Sequence, residues 1–188
     1  FKKMSTPPAP NADGSSPKTQ RFSGPPPMVI DRDKTYTAEM VTSMGTMVIA
    51  LDPIAAPKTV NNFVFLARYH YFDGLTFHRI IKDFVIQGGD PDGNGTGGPG
   101  YEFADELPKQ GEYEKYSLAM ANSGPNTNGS QFFVITGPQG IALPPNYSLF
   151  GKVTDGTDVV DKIGAVKTGE GDKPEKDVVM KKVTISES

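Results

Sequence analysis

Cysteine is absent from the 188 residues. Disulfides, thiolate nucleophiles and cysteine-based metal sites are thereby excluded, while the redox compartment is left open. Only two histidines occur, His70 and His78, with no H-x-x-x-H or H-E-x-x-H spacing, so a zinc site is not expected. No serine stands in a convincing arrangement with a histidine and an acid, which leaves a hydrolase triad without support. No apolar run reaches the length of a membrane span. The net charge is −3, so there is no basic footprint for nucleic acid. Most of the equipment for breaking bonds is missing.

What is present divides unevenly. The length suits one domain plus a tail. Seven of the 17 prolines fall within the first 27 residues, where Lys2, Lys3, Lys18 and Arg21 stand against Asp13 alone. Such a stretch, without apolar periodicity, cannot bury enough surface to fold alone. Residues 1–27 are therefore expected to form a flexible arm or linker, and 28–188 the folded domain. Phe1-Lys2-Lys3 does not resemble a natural start, so the arm is expected to be the remnant of a removed signal peptide, lipid anchor or membrane segment. That favours a cell-envelope or secreted location over the cytoplasm. Ser23-Gly24-Pro25-Pro26-Pro27 is itself a candidate ligand for a proline-binding groove.

Within the domain, strands are expected at 35–41, 46–51, 76–80, 85–87, 116–121, 132–136, 148–153 and 177–186 from period-two alternation and bounding turns. Helices are expected at 58–69, opened by Pro57, and at 155–166. Short strands linked by glycine turns, with two isolated helices, predict a mainly β fold: a closed or nearly closed antiparallel barrel with helices at its open ends. Closure would hide the strand edges.

The chemistry-bearing stretch is 71–131. Gly93-Asn94-Gly95-Thr96-Gly97-Gly98 matches a dinucleotide fingerprint, but Pro99-Gly100 follows instead of a helix, so a surface loop or groove wall is the better reading. Asp90, Asp92, Asp105 and Glu106 lack calcium-loop spacing and read as solvated loop charges. His78, inside an apolar strand, reads as a hydrogen-bonded structural residue rather than a general base. In that alternating strand Phe77 and Arg79 are expected on one face, opposite His78. An arginine beside a phenylalanine suits a fixed donor at an apolar pocket; an arginine reaching to solvent is the ordinary alternative.

At Phe77-His78-Arg79-Ile80-Ile81, at Phe84-Val85-Ile86-Gln87-Gly88-Gly89-Asp90, at Asn94 to Gly100 and at Met120 to Phe133, the sequence resembles the cyclophilin-type peptidyl-prolyl cis-trans isomerases of the bacterial kind, here with an N-terminal proline-rich arm. Leu149-Phe150-Gly151-Lys152-Val153 matches as well, and the likeness runs from about Thr35 to Ser186. The resemblance implies a barrel of about eight antiparallel strands capped by two α-helices, with a substrate groove on its outer face. It implies isomerisation of X-Pro bonds in proteins, assisting folding, with proline-containing polypeptide segments as partners and no cofactor or metal. Arg79, Phe84, Gln87 and Phe133 match the catalytic set. Phe77, Val85, Gly95, Ala121, Asn122, Ser123, Gln131, Leu143 and Tyr147 match substrate-binding positions. The family pattern breaks between Gly137 and Tyr147. Many members carry a tryptophan followed by leucine there and then a histidine, where this chain has Ala142, Leu143, Pro144-Pro145 and Tyr147. Without that indole, weak cyclosporin binding with retained isomerase activity is expected. The protein is expected to be a monomer. A module that captures proline-containing segments without turning them over is the competing reading.

Overall fold

Alternating sequences build most of the sheet. The computed structural model describes residues 4–188, so Phe1-Lys2-Lys3 lies outside the described residues. The elements are β1 Tyr36–Thr42, β2 Gly45–Leu51, α1 Pro57–Arg68, β3 Arg79–Ile81, β4 Val85–Gly88, β5 Ser117–Met120, β6 Phe132–Ile135, α2 Pro138–Ile141, β7 Leu149–Asp155, α3 Thr157–Gly164 and β8 Met180–Glu187. The eight strands form one sheet in the order β3-β4-β6-β5-β7-β2-β1-β8, and every neighbouring pair is antiparallel. No helix among the described residues is long and apolar enough to cross a membrane.

The sheet curls into an open half-barrel, which corrects the expectation of closure. Among the described residues the end strands β3 and β8 share no ladder; the segments before them meet at the single bridge Thr76–Val179. Backbone bonds from Gly74 N to Met180 O and from Met180 N to Leu75 O, both 2.7 Å, hold that seam. β3 has three residues, too few to pair along the eight of β8. The expected strand at 76–80 is displaced for the same reason, and its alternation fails. Phe77 and His78 are both buried while Arg79 is exposed, so Phe77 and Arg79 do not share a face.

Helix α1 closes one end of the core. Pro57 occupies its first turn, where a missing N–H costs nothing. Its N-terminus has no local side-chain cap; the Glu106 carboxylate, from a distant loop, accepts from Lys58 N at 3.2 Å and from Thr59 N at 2.7 Å. A negative charge there also complements the helix dipole. Phe63 on α1 stacks on Phe72 at 4.9 Å and meets Phe132 and Phe150 at 5.7 and 5.6 Å. Helix α2 is a single turn that periodicity did not reveal, and α3 is shorter than expected at both ends.

Residues 4–30 contain no helix or strand, yet they lie along the domain. Phe22 is buried in an aromatic cradle, 5.0 Å from Phe65, 5.2 Å from Tyr69 and 6.4 Å from Tyr101. Burying such a ring is worth about 2 kcal/mol. Thr19 N donates to Tyr69 O at 3.0 Å, Phe22 N to Pro99 O at 2.9 Å, and Gln20 Nε2 to Tyr71 O at 3.0 Å. Gly100 makes room for this path: its φ is +97°, and a Cβ there would stand 2.6 Å from Phe22 O. The Pro25-Pro26-Pro27 run is tied to α1, where Asn61 Nδ2 donates to Pro27 O at 2.9 Å.

Candidate active site

Strand register assembles the site. Arg79 on β3 pairs with Gln87 on β4, Gln87 with Phe133 on β6, and Phe133 with Ala119 on β5. Directly paired residues project from the same face, so these four form a row across the outside of the sheet. The next row outward is Ile81, Val85 and Ile135. Alternation sends the intervening residues, Ile86, Phe132, Val134, Leu118 and Met120, into the main core.

The outer face carries an apolar cluster of its own, distinct from that core. Val85, Tyr113, Ala119, Phe133 and Ile135 form it, with Phe84, Ala121, Leu143, Tyr147 and Leu149 packed around them. Phe133 is 5 % exposed and lies edge-on to Tyr147 at 5.4 Å. The Tyr147 backbone is pinned: Tyr113 Oη donates to Tyr147 O at 2.6 Å, and Tyr147 N donates to Tyr113 Oη at 3.1 Å. Burial pushes the Tyr113 phenol up to about 12, outweighing the hydrogen bond to the carbonyl, so it stays neutral. Tyr113 was not foreseen, because nothing in its loop sequence marks it as a rim support.

Arg79 stands beside this cup, exposed, with Nη1 donating to Gln87 Oε1 at 3.4 Å. Gln87 Nε2 donates to Gln131 Oε1 at 3.0 Å, and Gln131 Nε2 donates to Gly95 O at 3.0 Å and Gly97 O at 2.9 Å. One relay thus runs from the guanidinium to the glycine-rich loop. Asn122 lies on the same wall, with Nδ2 donating to Asn146 O at 2.9 Å, and Ser123 N donates to Thr127 Oγ1 at 2.8 Å. Among the sequence-derived candidates only Phe77 is elsewhere: it is fully buried in the main core, 6.3 Å from Phe132.

The loop is held from beneath by Asp90, which corrects its reading as a solvated charge. Asp90 is 1 % exposed and accepts from Asp92 N at 2.8 Å, Asn94 N at 3.1 Å and Gly95 N at 2.6 Å. Burial pushes its carboxyl up, but the amides of Asp92, Gly95, Gly97 and Asn94 outweigh that and hold it below the usual range. Asp105 and Glu106 are engaged as well, Asp105 by Asn128 Nδ2 at 2.8 Å and Glu106 by α1. Asp92 remains exposed. Behind the loop, His78 is 7 % exposed. Burial lowers its pKa, Asp90 raises it and Arg79 lowers it, with a net downward shift that keeps it neutral. Among the described residues neither of its buried ring nitrogens has a hydrogen-bond partner, which corrects the expectation of a hydrogen-bonded histidine.

An apolar cluster beside one permanent cation can hold and orient a partly apolar guest. The sequence model of the cyclophilin-type peptidyl-prolyl cis-trans isomerases matches residues 37–185. A probable peptidyl-prolyl cis-trans isomerase A of Mycobacterium leprae is 45% identical over 168 residues, covering 80% of this chain and 92% of its own. Peptidyl-prolyl cis-trans isomerase B of Streptomyces anulatus is 46% identical over 167 residues, covering 79% of this chain and 95% of its own. The crystal structure of a Cryptosporidium parvum cyclophilin-type isomerase superposes with a TM-score of 0.73 at 33% identity, covering 81% of this chain and 98% of that one. The chain belongs to the cyclophilin-type peptidyl-prolyl cis-trans isomerase family.

Proposed function

We propose that the protein catalyses rotation about X-Pro peptide bonds in polypeptide segments, and so assists folding. Family membership supports the reaction, and one observation carries the assignment of roles: Arg79, Gln87 and Phe133 stand in a single registered row, which sets a guanidinium beside an apolar cup. The barrier to rotation is roughly 18–20 kcal/mol because of C–N double-bond character. Lowering it requires only that amide resonance be disfavoured in the twisted state. The cup of Phe84, Val85, Phe133 and Leu143 holds the pyrrolidine ring. Arg79 donates to the prolyl nitrogen, whose lone pair localises as the bond twists. Gln87 and the Asn122 backbone hold one side of the substrate while the other turns. Stabilisation that exists only in the twisted state accelerates the reaction. No nucleophile, metal or cofactor enters.

Protease-coupled isomerisation of an Ala-Pro peptide by the purified chain tests this. Measurable catalysis is expected, and its absence while the peptide still binds supports capture without turnover. The altered rim at 142–147 favours that second reading, since Tyr147 takes its place against Phe133. For the same reason cyclosporin binds weakly: the chain has no tryptophan to grip it. Low-nanomolar inhibition by cyclosporin contradicts that.

A further inference from the structure

The cup and its row account for the proline and the bond before it, but the groove continues past them. Beyond Gln87 and Gln131 it opens into a cavity of about 950 Å³, and Met4, Gln20 and Arg21 of the arm line it together with the glycine-rich loop. Arg21 is brought there by built contacts. Its neighbour Phe22 is plugged into the Phe65, Tyr69 and Tyr101 cradle, and its other neighbour Gln20 bonds Tyr71 O. Farther back, the arm folds over itself, with Ser5 Oγ 2.6 Å from Ser23 Oγ, and is tied to the end of α1, where Tyr69 Oη donates to Pro8 O at 2.7 Å. Among the described residues no carboxylate lies within ion-pair distance of Arg21, whose side chain is exposed. The same cavity carries two acidic side chains from the domain, Asp92 and Glu102, both exposed. Without the arm, this part of the groove would present negative charge alone.

We propose that the arm is a wall of the substrate groove and that Arg21 is a specificity residue, admitting carboxylate-bearing side chains upstream of the proline that Asp92 and Glu102 would otherwise repel. The proposal rests on the isomerase reading for the direction of the bound chain, in which the residues before proline pass Ala121 and Asn122 toward Gln131. Like charges across a binding surface discriminate against a ligand, and opposite charges select it. Arg21 is exposed, so its effect is that of a solvated pair and fades as salt screens it.

The test uses the full chain and peptides Xaa-Xaa-Ala-Pro-Phe with Glu, Gln or Lys at both Xaa positions. For each, kcat/KM and the peptide Kd are measured at low and at high salt. Arg21→Ala is expected to lower the Glu-to-Lys ratio by about threefold to fivefold at low salt, with a much smaller drop at high salt. Arg21→Glu is expected to lower it further. Phe22→Ala keeps the charge but removes the ring that seats the arm beside Arg21, and is expected to lower the ratio in the same direction as Arg21→Ala; melting curves establish that each variant is folded. A ratio unmoved by both Arg21 substitutions overturns the proposal, and a ratio unmoved in folded Phe22→Ala overturns the positioning of Arg21 by the arm. If the wild-type chain binds these peptides without isomerising any of them, the isomerase reading fails, and the Kd ratios still decide the role of Arg21.

Discussion

Replacing Arg79 with alanine separates chemistry from structure. The side chain is exposed, and among the described residues its one hydrogen bond is the 3.4 Å bond to Gln87 Oε1. Removing it leaves no cavity and no buried orphan, so stability should change by no more than about 0.5 kcal/mol. The rate should respond very differently. A hydrogen bond from a charged donor is worth about 1.5–3 kcal/mol. If that bond forms only as the prolyl nitrogen becomes basic, its loss slows catalysis by about 10-fold to 150-fold. Arg79→Lys keeps the charge but loses the planar fork that bonds Gln87 and substrate together, so its rate should fall between the two. Thermal melts and protease-coupled isomerisation, run on the same preparations, give both quantities. An Arg79→Ala protein with an unchanged melt and a rate within about twofold of wild type refutes the assignment, because no other permanent cation stands in the row.

Gln131→Leu removes the donor to Gly95 O and Gly97 O and the acceptor for Gln87. It should cost about 1–2 kcal/mol and raise KM, with hydrogen exchange increasing at residues 94–97. Tyr113→Phe leaves the Tyr147 backbone without its buried partner; a loss of about 1–3 kcal/mol is expected in denaturant unfolding. The pH dependence of stability has two windows. The pKa of His78 is depressed in the fold, so the unfolded chain takes up its proton first, and stability falls as pH drops below about 6.5. The carboxyl of Asp90 is also depressed, so its contribution is present above about 3.9 and is lost below that. His78→Phe should flatten the upper window in urea titrations and leave the lower one.

Local pattern carried much of the fold because most strands are half-buried and bounded by turns. The hairpin of β1 and β2 alternates cleanly, with Tyr36, Ala38 and Met40 inward, and its boundaries were legible to within a residue or two. Legibility failed where partners are distant in sequence. Thr76 looked like a strand residue but finds only Val179, so β3 begins at Arg79, and Phe77 turns into the core. Asp90 and Glu106 looked like solvent charges, since their partners are backbone amides brought by loop closure and by a helix start 47 residues away. The arm's composition excludes a core of its own, but composition cannot say that one ring, Phe22, fits a cradle made by other elements.

The candidate site was legible for a physical reason apart from its motifs. A sheet with one wet face alternates apolar and polar residues. Strands β5 and β6 instead read Ser-Leu-Ala-Met and Phe-Phe-Val-Ile, and every one of these residues is buried. Both faces must therefore be covered. Phe132 and Val134 are covered by the main core, while Phe133 and Ile135 are covered by the wall that runs from α2 to Tyr147. That wall is loop rather than sheet, and its hold on the outer face is a few contacts such as the Tyr113–Tyr147 pair. Substitution of the wall should therefore leave the half-barrel standing, because its core lies on the other side of the same strands; thermal melts of Leu143→Ala check this. Residues 142–147 lie in that loop wall, outside the strands, while Arg79, Gln87 and Phe133 are fixed by register.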